Sequence, residues 1–132
     1  MDMQKDFLSP DGLFAKSSRG VSGIQGIIPN CRSLLDTART AGVLVIFIRQ
    51  CTLPGGGRSD GPAWYAFKTR DKKTVDYALP GSEGAKIIPE LEPLPGELTE
   101  DKFLPSSFHG TFLGRRFRVL QTKDVLAVWN NQ

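Results

Sequence analysis

Histidine is nearly absent from this chain: among 132 residues His109 stands alone. Zinc sites built on several imidazoles are therefore nearly excluded. Cysteine is scarce too, and Cys31 and Cys51 form neither a CxxC pair nor the dense pattern of a disulfide scaffold. Reduced thiols in a cytoplasmic setting are the expectation. No apolar run approaches the roughly 20 residues that a membrane span needs, the longest being Val43 to Ile48. No charged-then-apolar leader opens the chain, so no secretory signal is expected. Charge of one sign is also missing. A net charge of +3 is too small to call for a nucleic-acid or membrane partner. The cluster Arg115, Arg116 and Arg118, with Phe117 between, reads as the wet face of a helix. No internal repeat or linker divides the sequence.

What is present is one domain's worth of globular material spanning residues 1–132, 39% hydrophobic and 23% charged. Ile28, Cys31, Leu34, Leu35, Ala38 and Ala41 recur at helical spacing, with Pro29 in the first turn and Gly42 at the stop. The run Val43 to Arg49 is apolar and β-branched without alternation, as in a strand covered on both faces. A helix followed by such a strand predicts a parallel α/β sheet. TLPGGGRSDGP is a loop, and a phosphate-cradling role for Gly55 to Gly57 lacks a GK[ST] or GxGxxG continuation. Residues 63–82 read as a long surface excursion.

Farther along, KIIPELEPLPGE is a short helical or extended piece, and GELTEDK is a weak strand ending at Lys102. Thr111 is placed to cap a helix running to Leu120, with Phe112, Leu113, Phe117 and Leu120 inward. DVLAVW, at 124–129, reads as a further buried strand.

Three segments in order, DMQKDF at 2–7, GSEGAKIIPELEPLPGE at 81–97 and DKFLPSSFHGTFL at 101–113, resemble the isochorismatase-like cysteine hydrolase superfamily. The helix–strand unit IIPNCRSLLDTARTAGVLVIFIRQ is similar to that family's first helix and second strand. The wording looks closest to the branch that hydrolyses carbamoyl, ureido and related amide C–N bonds. The resemblance implies a three-layer α/β/α sandwich around a mostly parallel sheet. It makes Asp2 the general base, Lys102 the partner cation, and Phe7 and Trp64 parts of the substrate pocket. It implies neither cofactor nor metal here, because the family's metal-dependent nicotinamidase branch uses several histidines. A small-molecule amide or ureido substrate follows from it, and a homo-oligomer is compatible with it.

By the same resemblance, the nucleophilic cysteine belongs to a stretch of the type GVATNxC that would follow DVLAVW. The strand ending in the aspartate would precede Met1. Both lie outside these 132 residues, as do the last helix–strand units, so the fold is expected to be incomplete and the chain inactive alone. Cys51, at the rim after the Val43–Arg49 strand, is the better placed of the two thiols as a substitute nucleophile. Cys31 lies on the apolar helix face and reads as core. The alternative to an enzyme is a non-catalytic fragment that associates with a full-length relative through an exposed sheet edge.

Overall fold

The computed structural model describes residues 1–16, 21–55, 61–69 and 76–129. Two strands, β1 (Ile46–Gln50) and β2 (Leu98–Lys102), pair in parallel with Ile46 opposite Leu98 and Gln50 opposite Lys102. The helices are α1 (Lys5–Leu8), α2 (Leu13–Lys16), α3 (Ser22–Gln25), α4 (Ile28–Thr40), α5 (Pro62–Thr69) and α6 (Leu113–Val119), with a 3-10 turn at Pro89–Leu91. The expected α/β class with a parallel sheet is thus present. Among the described residues the regular ladder holds two strands.

Helix α4 forms where the 3.6-residue spacing places it. Pro29 occupies its first turn, where the missing N–H costs nothing. At its end Gly42 takes φ +67°, Gly42 N donates to Arg39 O and Val43 N donates to Ala38 O. These are the two hydrogen bonds that close a helix over a left-handed glycine. Arg39 then clamps the helix to the turn before β2, its Nε and Nη2 reaching the Glu97 carboxylate at 2.9 and 2.7 Å.

The N-terminal segment lies along the open edge of β1. Asp2 N donates to Ile48 O at 2.8 Å. On its other side Gln4 bridges Ile87 in antiparallel fashion, Ile88 N donates to Met3 O, and Lys5 N donates to Lys86 O. Four residues therefore stitch β1 to the 84–88 segment. Directly behind, α1 drives Phe7 and Leu8 into the main core with Met3, Leu35, Ala85, Ile88 and Leu91. Phe7, Phe14 and Tyr77 meet edge to face with centroids 5.0 to 5.7 Å apart, the arrangement ring quadrupoles favour.

Three sequence expectations need correction. Residues 124–129 form no strand: Leu126 is 77% and Trp129 55% exposed. β-Branched apolar composition yields a strand only where a neighbouring edge takes up its amides and carbonyls. Here Val128 O accepts from the Met1 amino group, and the segment joins no ladder. The strand after α4 starts at Ile46 rather than Val43, and Val43 and Leu44 face solvent for the same reason. In α6 only Leu113 is buried; Phe112 and Leu120 point outward, and Phe117 packs on exposed Phe108. Glu100, not Thr111 alone, organises the start of that helix. Its buried carboxylate accepts from Phe112 N at 3.0 Å and from Arg116 Nε at 2.9 Å. Gly55 is exposed and Gly56 and Gly57 fall outside the described residues; the 63–82 excursion opens within helix α5, and its residues 70–75 lie outside the described ones.

Candidate active site

Lys102 ends β2, and the parallel register sets it opposite Gln50. One further ladder bond, from Cys51 N to Lys102 O at 2.8 Å, fixes its backbone. Alternation along β2 puts Glu100 and Lys102 at buried positions and Asp101 at a half-buried one. Each charge on the strand is matched. Asp101 takes a two-pronged contact from Arg49 directly across the ladder, at 2.7 and 2.9 Å. Lys102, 5% exposed, turns its Nζ toward Asp2 Oδ2 at 2.9 Å and donates to Pro105 O at 3.0 Å.

Asp2 reaches this contact from the opposite edge of β1. Its backbone sits at φ +60°, a left-handed conformation that Asp tolerates better than most residues. The turn redirects its side chain toward the end of β2 while its amide stays on Ile48 O. Two residues whose numbers differ by 100 thus converge because β1 carries both, one on each edge.

The residue that holds this edge together is the glutamine of the DMQKDF motif. Gln4 is fully buried, and its Oε1 accepts from Gln50 N at 2.7 Å. Its Nε2 donates to Gln50 O at 2.9 Å and to Ala85 O at 3.1 Å. Next to it, Asp6 Oδ2 accepts from Ala78 N at 2.7 Å and Asp6 N donates to Gly84 O, which anchors the excursion between the strands.

Phe7 belongs to the aromatic core behind the pair, 2% exposed, rather than to an open wall. Trp64 falls within α5, and the expectation placed on its side chain lies outside the described groups. His109 is exposed. Among the described residues no group of three or more His, Cys, Asp or Glu is arranged to hold a metal. No described helix is long and apolar enough to cross a membrane. Two depressions, of about 750 and 280 Å³, run along α4 and are lined by neither Asp2 nor Lys102.

Cys51 does lie at the rim beside this site, but its state is that of a thiol. It is wholly buried, and burial first, then the neighbouring Asp101 carboxylate, pushes it up to about 12. The thiolate, the reactive form, is then negligible near neutrality. Iodoacetamide at pH 8 is expected to modify half-buried Cys31 in the native protein and Cys51 only after denaturant is added, as read by peptide mass spectrometry. Equal labelling of the two would contradict the buried thiol. An unfolded thiol ionises near its ordinary 9.0, below the folded value. The contribution of Cys51 to stability is therefore whole below pH 9 and lost as pH climbs toward 12.

Comparison with known proteins places these features in a family. The isochorismatase domain model matches residues 1–128. The ureidoacrylate amidohydrolase RutB of Stutzerimonas stutzeri is 31% identical over 138 residues, which cover 96% of this chain and 54% of that protein. RutB of Variovorax paradoxus is 29% identical, covering 89% of this chain and 50% of its own length. The chain thus spans about half the length of the curated relatives it matches. Among solved structures, an isochorismatase family protein from Desulfovibrio vulgaris superposes with a TM-score of 0.68 at 29% identity, covering 89% of this chain and 57% of the other. N-carbamoylsarcosine amidase from Thermoplasma acidophilum, at 20% identity and a TM-score of 0.66, shares the fold, with 91% of this chain and 58% of its own covered. The parallel strands, the N-terminal segment laid along their edge and the match over nearly every residue assign the chain to the isochorismatase-like hydrolase family.

Proposed function

We propose that this chain supplies the carboxylate and ammonium of a site that hydrolyses amide, carbamoyl or ureido C–N bonds in a small molecule. The observation that carries the reading is the contact of Asp2 Oδ2 with Lys102 Nζ at 2.9 Å, both groups largely out of water. The carboxylate is placed to act as base toward a nearby thiol, whose thiolate is the reactive form. In the reaction the carboxylate takes the thiol proton and the sulfur attacks the substrate carbonyl. The C–N bond breaks, and the amine leaves with the proton held on Asp2. The carboxylate then takes a proton from water, whose oxygen displaces sulfur from the thioester, and Asp2 returns that proton to the departing sulfur to restore the thiol. The names of the RutB relatives, ureidoacrylate amidohydrolases, support a ureido or amide substrate class.

Neither cysteine of this chain fits the sulfur role. Cys51 is buried as a thiol, and Cys31 packs on α4 against the core. On this reading the attacking sulfur is neither of these two. The purified chain, incubated with ureidoacrylate or N-carbamoylsarcosine, is therefore expected to release no ammonia above background. Release that disappears on changing Lys102 to alanine would overturn that statement.

Exposed Val125, Leu126 and Trp129 favour a second reading, in which the chain works by strand pairing with another polypeptide. Sedimentation of the purified chain tests this reading for a second copy as the partner. A monomer across a wide concentration range speaks against pairing with copies of itself.

A further inference from the structure

We propose that Gln4 is the positioning residue of the Asp2–Lys102 pair, its side-chain carboxamide serving as one more rung of the sheet. The inference rests on reading that pair as the reactive groups, and it assigns Gln4 no contact with substrate. The argument begins with what a glutamine amide is: a donor and an acceptor held in a plane, the same groups a peptide unit presents to a strand edge. On the open edge of β1, Ile48 O takes the backbone N–H of Asp2. Two residues on, the edge groups of Gln50 are taken by the side chain of Gln4, which accepts from Gln50 N and donates to Gln50 O. The spacing of two residues on each chain, Asp2 to Gln4 and Ile48 to Gln50, is that of a parallel ladder. A rung made by backbone has thus been replaced by one made by a side chain.

The substitution frees the backbone of Gln4 to turn the other way, where it bridges Ile87, and the second Nε2 hydrogen is satisfied by Ala85 O. Gln4 therefore joins three segments at one buried point: the N-terminal segment, β1 and residues 85–87. Gln50 is also the residue opposite Lys102 on β2. The residue after β1, Cys51, donates to Lys102 O, so the rung made by Gln4 and the ladder bond that holds Lys102 sit on opposite edges of the same end of β1. Asp2, with its left-handed backbone, has no ordinary strand geometry to hold it. A shift of the first four residues along β1 would carry its carboxylate off Lys102.

The test compares amide hydrogen exchange at two positions by NMR. Asp2 N–H reports the N-terminal segment on β1, and Cys51 N–H reports the β1–β2 ladder through its bond to Lys102 O. Replacing Gln4 by leucine, of similar bulk with neither donor nor acceptor, is expected to speed exchange at Asp2 about tenfold and at Cys51 less than about twofold. Gln4→Asn, which keeps the amide on a shorter stem, is the second variant should leucine prevent folding, and the same selective change is expected. Parallel acceleration at both amides would mean that Gln4 serves stability alone and would overturn the proposal. No change at Asp2 would overturn it too.

The reactive-pair reading is measured separately. Asp2→Asn should speed acetylation of Lys102 relative to exposed Lys86, read by mass spectrometry. If it does not, that reading falls whatever the Gln4 variants show. If it does while Gln4→Leu leaves Asp2 exchange unchanged, the pair stands and the positioning role falls.

Discussion

Lys102→Met is expected to lower stability by about 3 kcal/mol, because it leaves a mostly buried carboxylate facing an apolar side chain. The Asp2 side chain is 18% and the Lys102 side chain 6% exposed, so water cannot replace the lost ammonium without opening the structure. Methionine keeps the stem packed and removes only the charge, which confines the effect to the ion pair. Adding Asp2→Asn should recover most of the loss, since two neutral groups at that point cost far less than one unpaired charge. In thermal denaturation the single variant should melt about 10 °C lower and the double variant within a few degrees of the parent. A double variant no more stable than Lys102→Met would show that the lysine stabilises through Pro105 O and packing rather than through Asp2.

A comparable loss is expected at a position with no chemistry at all. Gly12 closes the corner between α1 and α2, and a Cβ there would lie 2.2 Å from Lys5 O and 3.0 Å from both Asp6 O and Ser9 O. All three are backbone atoms, two of them in the helix that carries Phe7 and Leu8 into the core, so none can swing aside. Gly12→Ala should therefore cost about 3 kcal/mol, as overpacking of a rigid site does. Gly23→Ala is the matched control. It lies in α3 with nothing within 4 Å of the added carbon, and alanine suits a helix better than glycine. The expected result is a Gly12 variant melting about 10 °C below the parent and a Gly23 variant level with it or slightly above. A Gly12 variant melting alongside the Gly23 control would contradict the crowded corner.

Helix α4 was legible in the sequence because its signals are local: an apolar stripe, a proline in the first turn and a glycine at the stop. The β1 run was legible in kind but not in extent. Val43 and Leu44 have the composition of strand residues, yet composition does not say whether a neighbouring edge is there to pair with. The same blindness explains residues 124–129. For β2 the difficulty was the reverse. Glu100, Asp101 and Lys102 look like surface residues until Arg116, Arg49 and Asp2 arrive from elsewhere in the chain to neutralise them. Asp2 and Lys102 were singled out through a resemblance of motifs, and their approach to 2.9 Å is a fact of folding that no local pattern encodes. Nothing local to Gln4 in the sequence marks its role. Its partners, 46 and 81 residues away, come within reach only after β1 and the 84–88 segment have formed around it.

Both members of the ion pair are moored to one five-residue strand, Lys102 through the β1–β2 ladder and Asp2 through its amide on Ile48 O. A displacement of that strand would therefore carry carboxylate and ammonium along together instead of pulling them apart.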